Sequence, residues 1–596
     1  MREYSVPVVV DVPGSASLAD TVFQRGEREP GRVILRRKAG DGWPAVTAGE
    51  FRDQVAGVAK GLMAAGVGHG DRVALMSRTR YEWTLIDYAI WAIGAVTVPI
   101  YETSSADQVA WILADSGAKA AFVELDAHER TVREAAPGLK DVWRVEAALD
   151  GSLDGPLDGS IDSAGVDDAD LEELRSRVSG SDLATIVYTS GTTGRPKGCL
   201  ITHDNLLFTA LNVLHGPLRP LFTGDPAALL FLPLAHIFAR MIQVVLVEAG
   251  AVMAHTPNMK NVAPDLQDFK PTFLLGVPRV FEKVYNAAEQ KAIAGGKGRI
   301  FASAADVAVA WSRAQATGGA GLGLRLRHAV FDKLVYAKLR EATGGRLSAA
   351  VSGGSALGDR LGHFFRGVGI EVFEGYGLTE TSAPCSVNLP DANKIGTVGR
   401  PLPGVTIRIA DDGEILAKGR NVFVGYWNDE QATGEVVDAD GWFHTGDVGD
   451  LDDDGYVSIT GRKKEILVTA AGKNVAPGPL EDALRAHPLV SQAMVVGDGR
   501  PFVGALITLD PEALEPYAPA TAAELRTDPR VLAEVQGAVD RANSTVSKAE
   551  QIKKFTVLGS DLTEESGHLT PTLKVKRQIV ARDFADEIAA LYGTKG

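Results

Sequence analysis

A short apolar run, Leu183–Tyr188 (LATIVY), empties directly into Thr189–Gly198 (TSGTTGRPKG), which carries three glycines, four hydroxyl residues and one lysine. A buried-strand pattern that ends in such a loop restricts the fold more than any other feature of the chain. The loop can turn backbone N–H groups, hydroxyls and an ammonium toward one anion, as phosphate cradles do. It is not a Walker A loop, because Pro196 precedes Lys197 and Gly198, rather than Ser or Thr, follows it. A flexible linker of the same composition is the competing reading, although a linker does not require Arg195-Pro196-Lys197 behind a buried strand.

The surrounding chain alternates helical and strand periods. Ala48–Ala65 has apolar residues at helical spacing, and Asp71–Met76 (DRVALM) reads as a buried strand after Gly68 and Gly70. Such alternation predicts an α/β layered fold. Leu149–Asp170, rich in Gly, Asp and Ser, reads as a surface excursion. Arg279–Glu341 reads as long helices broken by the cluster Gly318–Gly323, which does not form a dinucleotide fingerprint. Near residue 460 the character changes. Tyr456–Thr460 is a strand pattern, Gly461–Lys464 (GRKK) a polar joint, and Pro479–His487 a helix opened by proline. Ala493–Val496 and Phe502–Leu509 then form a strand pair about the turn Gly497–Arg500. The joint divides the chain into a large domain, 1–463, and a small α+β domain, 464–596.

Size and charge remove several classes of function. At 596 residues the chain exceeds a single core, and a formal charge of -15 argues against a nucleic-acid partner. Two cysteines, Cys199 and Cys385, make no disulfide framework and suit a reducing compartment. The opening residues have no signal-peptide pattern. Apolar stretches such as Tyr88–Tyr101 fall short of the roughly 18 to 20 residues that span a bilayer. A cytoplasmic chain is expected, monomer or homodimer, with transient peripheral contact at the inner face of a membrane left open for a greasy substrate.

YTSGTTGRPKG is followed in order by Leu232–Phe238 (LPLAHIF), Ser352–Leu357 (SGGSAL), Glu374–Thr381 (EGYGLTET), Gly441–Asp447 (GWFHTGD), Gly461–Glu465 (GRKKE) and Thr570–Arg577 (TPTLKVKR). In this series the chain resembles the adenylate-forming enzymes, which include the acyl-CoA synthetases. Val277–Ala287 (VPRVFEKVYNA) with its helical insert is similar to the long-chain fatty acyl-CoA branch. The resemblance implies activation of a fatty acid by ATP to acyl-AMP, then transfer to coenzyme A. The alternative acceptor is a carrier protein, as in fatty acyl-AMP ligases.

The resemblance also implies roles. Thr189, Ser190, Gly191, Thr192, Thr193, Gly194 and Lys197 would hold the phosphates. Glu380, with Thr189 and beside Thr379, would hold Mg2+, an ion suited to hard oxygen ligands. Gly353, Gly354, Ser355 and Ala356, with Glu374, Gly375, Tyr376 and Gly377, would form the adenine slot. Asp447 would accept the ribose hydroxyls, reinforced by Arg462, and His236 would sit beside the carboxylate end of the acyl tunnel. Lys574 would bridge the attacking carboxylate and the α-phosphate, with Lys576 as the alternative, and Lys464 would be the hinge of the mobile small domain. Many relatives have glycine just before that lysine; here the residue is Leu573.

Overall fold

The computed structural model describes residues 2–40, 42–145, 165–189, 195–316, 318–518, 520–570 and 573–593. A seven-stranded sheet runs in the spatial order Gly425–Tyr426, Lys197–Thr202, Leu183–Thr189, Val96–Ile100, Arg72–Met76, Ala120–Val123, Asp141–Arg144. Arg72–Met76 lies parallel to both its neighbours. Leu183–Thr189 instead pairs antiparallel with Lys197–Thr202, so that Thr189 faces Lys197 across the ladder. The strands on either side of the glycine loop therefore form an antiparallel hairpin pair rooted in a buried sheet.

A second, nine-stranded sheet has six parallel strands at its centre: Glu371–Leu378, Ala349–Ser352, Phe273–Gly276, Ala227–Leu230, Val252–His255 and Val33–Arg36. Ligands of parallel sheets bind at the carboxyl ends of the strands, and here those ends carry Gly276, Ser352 and the start of the GYGLTE segment. A five-stranded antiparallel sheet includes Phe443–Leu451 and Val457–Arg462.

Two helices tie the sheets together. Tyr81–Ala92 is buried at every residue, as expected of a helix that is apolar nearly all round. Ile237–Ala249 packs beside it. At their contact Arg240 and Asp87 form an ion pair with no exposed surface on either side chain. Arg240 Nε donates to Asp87 Oδ2 at 2.9 Å and Nη1 donates to Thr185 Oγ1 at 2.5 Å. The Thr97 hydroxyl donates to Asp87 at 2.7 Å, and the guanidinium carbon lies 5.3 Å and 5.0 Å from the ring centroids of Trp83 and Trp91. This satisfied cluster joins the helix that begins after His236 to the strand that feeds the glycine loop.

The periodic patterns become helices with small differences of boundary. Ala48–Ala64 is capped by Thr47, and Pro278–Ala294, Gly298–Ala316 and Leu322–Phe331 fill the long helical region. An additional break follows Ala294, where Gly296 takes φ 70°. The helix expected from Pro479 begins at Pro477, because that proline already occupies its first turn. The acidic excursion ends in a helix, Asp168–Arg175, whose first turn Asp167 caps by accepting from Asp170 N at 2.9 Å; residues 146–164 lie outside the described residues.

Beyond the polar joint, Val490–Val496 and Val503–Leu509 pair antiparallel, and Ile552–Val557 adds in parallel. Pro477–Arg485 and Pro529–Asn543 pack on this sheet. No hydrophobic cluster of described residues has members on both sides of residue 464. Both cysteines are buried and unpaired, and no described helix is long and apolar enough to cross a membrane.

Removing one partner of a fully buried pair strands a charge at about 3 to 5 kcal/mol. Arg240→Met and Asp87→Asn are each expected to destabilise by about that much in denaturant unfolding. Arg240→Met with Asp87→Leu is expected to cost less than the sum of its two single changes.

Candidate active site

The hairpin and the GYGLTE segment meet through a residue that the motifs did not single out. Tyr426 pairs with Cys199 in the ladder, and its hydroxyl donates to Glu380 Oε1 at 2.8 Å. The Lys197 ammonium lies 5.1 Å from the centroid of the same ring and 3.4 Å from Asp429 Oδ2. Phe423 N donates to Glu380 O at 2.8 Å, which fixes the turn Thr379–Thr381 against this edge. Thr189 reaches the Cys199 thiol on the same strand pair. Lys197, Thr189, Thr379 and Glu380 thus share one wall, while Ser190, Gly191, Thr192, Thr193 and Gly194 lie outside the described residues.

The segment Glu374–Thr381 organises the rest. Glu374 is buried and its Oε1 accepts from Leu357 N at 2.8 Å, so it braces the loop of Gly353, Gly354, Ser355 and Ala356 from behind. Burial pushes this carboxyl up to about 7. Tyr376 is also buried, and its hydroxyl donates to Asp447 Oδ2 at 2.7 Å. Arg462 faces Asp447 across the antiparallel ladder and donates from Nε to Oδ1 at 2.9 Å. Gly375 pairs with Val387. Gly377 has no room for a side chain, since a Cβ there would stand 1.8 Å from Ala383 O. The strand return at 377–384 requires that approach.

His236 caps the helix Ile237–Ala249, its Nδ1 accepting from Phe238 N at 3.1 Å. The neutral ring therefore carries its proton on Nε2. Burial lowers His236 to about 4, and the nearby Lys574 ammonium acts in the same direction. Lys574 is accessible along its length, yet its amino end sits among crowded walls. Desolvation there lowers its pKa, Arg462 adds to the fall, and Asp447 and Glu465 oppose it. Because Lys574 is exposed, solvent screens these effects. Lys574 thus lies within the field of Asp447, Arg462 and His236, whereas Lys576 uses its backbone N–H to hold His568 O at 2.8 Å.

Lys574 stands on a tight turn in which Leu573 N donates to Thr570 O and Thr570 N to Lys574 O, both at 2.8 Å. Leu573 takes φ 61°, the left-handed region that favours glycine. Lys464 is exposed in the turn that follows Val457–Arg462, and the preceding Lys463 is anchored to Glu414 at 3.1 Å. Closure onto the large domain rests on polar contacts. Arg279 pairs with Asp510 at 2.6 Å, Lys283 with Glu512 at 3.3 Å, Arg360 donates to Ala486 O at 3.3 Å, and Thr103 meets Glu564.

Among the described residues no three His, Cys, Asp or Glu side chains cluster to hold a metal ion. Glu380 with the Thr189 hydroxyl is a hard-oxygen pair of the kind Mg2+ takes when substrate phosphates complete its shell. A separate cavity of about 480 Å3 is lined by none of the expected residues. Several of its cations are already neutralised, Arg37 and Arg80 by Glu82 at 2.6 Å and 2.5 Å and Arg78 by Glu124 at 2.5 Å.

The AMP-binding enzyme model matches residues 22–427, and the AMP-binding enzyme C-terminal domain model matches residues 464–596. The chain is 51% identical over 604 residues to Long-chain-fatty-acid--CoA ligase FadD15 of Mycobacterium bovis, covering 99% of this chain and 100% of that protein. In fold it is similar to the A domain of carboxylic acid reductase from Segniliparus rugosus in complex with AMP and a co-purified carboxylic acid. That match has a TM-score of 0.75 at 19% identity and covers 98% of this chain and 95% of the other. It is also similar to O-succinylbenzoate CoA synthetase (MenE) of Bacillus subtilis in complex with ATP and a magnesium ion. Here the TM-score is 0.67 at 21% identity, with 94% and 98% covered.

Substitutions at two positions test the local physics. Glu374 holds its proton more tightly folded than unfolded, so its stabilising contribution is full below the ordinary 4.5 and is lost as pH rises through about 7. Glu374→Gln is expected to remove that loss and raise stability at pH 8 by up to about 3 kcal/mol, read as a flatter profile of melting temperature against pH. Leu573→Gly is expected to leave stability unchanged or raise it by up to about 1 kcal/mol, while Leu573→Val lowers it by a similar amount. Chemical denaturation of the three proteins checks the order.

Proposed function

The chain belongs to the AMP-binding enzyme family, and from that premise we propose that it joins a long-chain fatty acid to coenzyme A at the expense of ATP. The observations that support this reading are two groups of side chains joined by one strand, Glu371–Leu378: Lys197 and Glu380 share the Tyr426 ring, and Lys574 lies within reach of Asp447, Arg462 and His236. A carboxylate is a poor acyl donor, and its approach to a triphosphate brings two anions together. Positive groups held in place before the reaction oppose that repulsion, each such donor being worth roughly 3 to 4 kcal/mol by analogy with oxyanion holes.

In the first half-reaction a carboxylate oxygen attacks the α-phosphorus. The new P–O bond forms as the bond to the β-phosphate oxygen breaks, and pyrophosphate leaves. Lys197 and the hairpin receive the β- and γ-phosphates, Asp447 with Arg462 holds the ribose hydroxyls, and the loop 353–356, braced by Glu374, flanks the adenine. Lys574 meets the charge between carboxylate and α-phosphate. Glu380 and Thr189 would hold Mg2+, which supplies further positive charge to the phosphates. The neutral His236 ring presents its Nε2 proton to the carboxylate end.

In the second half-reaction the coenzyme A sulfur attacks the acyl carbon, the C–S bond forms, and AMP leaves with the electrons of the C–O bond. A thiol of ordinary pKa, about 8.5, needs little help to lose its proton near neutrality. Residues 1–463 act as the catalytic domain and 464–596 as a lid. Lys464 is the residue at which the lid turns between the two steps, and Lys574 facing inward corresponds to the first.

Lys574→Ala is expected to slow acyl-AMP formation by at least 100-fold, on the order of one lost electrostatic donor. The same variant is expected to convert supplied acyl-AMP and coenzyme A to thioester at a rate within about threefold of the parent, because this step leaves Lys574 unused. The two half-reactions are followed separately by pyrophosphate release and by thioester formation. Equal loss in both, or no thioester with coenzyme A where a phosphopantetheinyl carrier serves, refutes the assignment.

A further inference from the structure

The helix Leu322–Phe331 contains no buried residue and continues through a wide turn, Asp332–Tyr336, into Ala337–Ala342. Its inner side is fastened. The His328 ring stacks on Trp311 at 4.2 Å, the Tyr336 hydroxyl donates to Ala304 O at 2.6 Å, and Phe331, Val335 and Leu339 pack against the neighbouring cluster. Its outer side carries Leu322, Leu326, Val330 and Leu334, exposed by 84%, 70%, 48% and 52%.

A spacing of four drifts around an ordinary helix by about 40° per step. The wide turn holds more residues than an α-turn and so opposes the drift before Leu334. The result is a continuous apolar stripe that no described residue covers, and single exposed apolar residues need no explanation whereas a contiguous row does.

The surroundings of the stripe are cationic. Between Lys291 and Arg340 nine Lys and Arg stand against two Asp, in a chain whose formal charge is -15. Arg325, Arg327, Lys333 and Lys338 are exposed on this helical stretch. Of its two acids, Asp332 is engaged by Arg340 at 2.8 Å, and Glu341 stands seven residues beyond Leu334, near the end of the last helix. Two copies of the stripe placed face to face would bring like charges together. A plane of anionic headgroups over hydrocarbon satisfies both the charge and the apolar row.

We propose that the exposed face of residues 322–338 docks this protein on an anionic lipid bilayer. This rests on the reading of a long-chain acid as substrate, which is stored in such a bilayer. The helical region springs from Pro278, directly after the strand Phe273–Gly276 whose end borders the cleft.

The test is flotation of the full chain with vesicles of equimolar phosphatidylcholine and phosphatidylglycerol, against vesicles of phosphatidylcholine alone. The parent is expected to float with the anionic vesicles and to bind the neutral ones weakly. Leu322→Glu with Leu326→Glu, and separately Arg327→Glu with Lys333→Glu, are each expected to lose roughly tenfold or more in partitioning. Melting temperature and adenylation of a water-soluble short acid are expected to stay as in the parent. A parent that does not float, or a leucine variant that floats as well, overturns the proposal. So does a dimer that Leu326→Glu dissociates while leaving flotation intact, for then a second copy covers the face. If the parent floats but forms no acyl-AMP, the docking stands and the activity reading falls.

Discussion

The buried contact between Arg240 and Asp87 sets the frame on which the site depends. It lies where two sheets are joined by two helices, and each of its members leads toward the cleft. Arg240 is one turn beyond the cap at His236, and Thr185, which accepts from the guanidinium, lies on the strand that ends at Thr189. A charge pair in such a place is costly to assemble and is tolerated because its lone pairs and protons are satisfied by Thr97, Thr185, Gln243 and the two tryptophan rings. What it secures is position. The histidine that flanks the acyl end and the hairpin that faces phosphate cannot shift independently.

From that frame a single stretch of chain, Glu374–Thr381, distributes the remaining functions. Its first residue braces a loop, its third orients an aspartate, and its seventh meets a tyrosine shared with Lys197. Cations and anions are thereby held apart by intermediaries before any substrate arrives. The arrangement suits a reaction whose main obstacle is repulsion between substrates, since the reorganisation of dipoles has been completed by folding.

Much of this was legible in the sequence because the chemistry is carried by contiguous motifs. The strand before the loop and the strand pair about Gly497–Arg500 follow from local patterns of two-residue period and turn residues; that Asp447 and Arg462 act together came only from the resemblance, and the ladder that sets them opposite each other was not read from the sequence. What was not legible depends on partners far apart in the chain. Tyr426 reads as an ordinary aromatic beside a tryptophan, and only the ladder with Cys199 brings it between Lys197 and Glu380. Arg240 reads as a polar residue in an apolar helix, and nothing local announces that Asp87 awaits it. Glu374 reads as a ligand of the adenine slot, whereas its carboxylate turns back on the protein. Leu573 was visible as a departure from glycine, and the backbone angle shows why glycine is the easier residue there.

The separation of the apolar clusters on either side of residue 464 has a thermodynamic corollary. Among the described residues the two parts share ions and hydrogen bonds and no common apolar cluster, so swinging one away mainly wets charged groups that water accommodates readily. Such a motion carries almost no heat-capacity signature and little solvent penalty. The joint can therefore sit near balance between orientations, and occupancy of the cleft decides which one prevails.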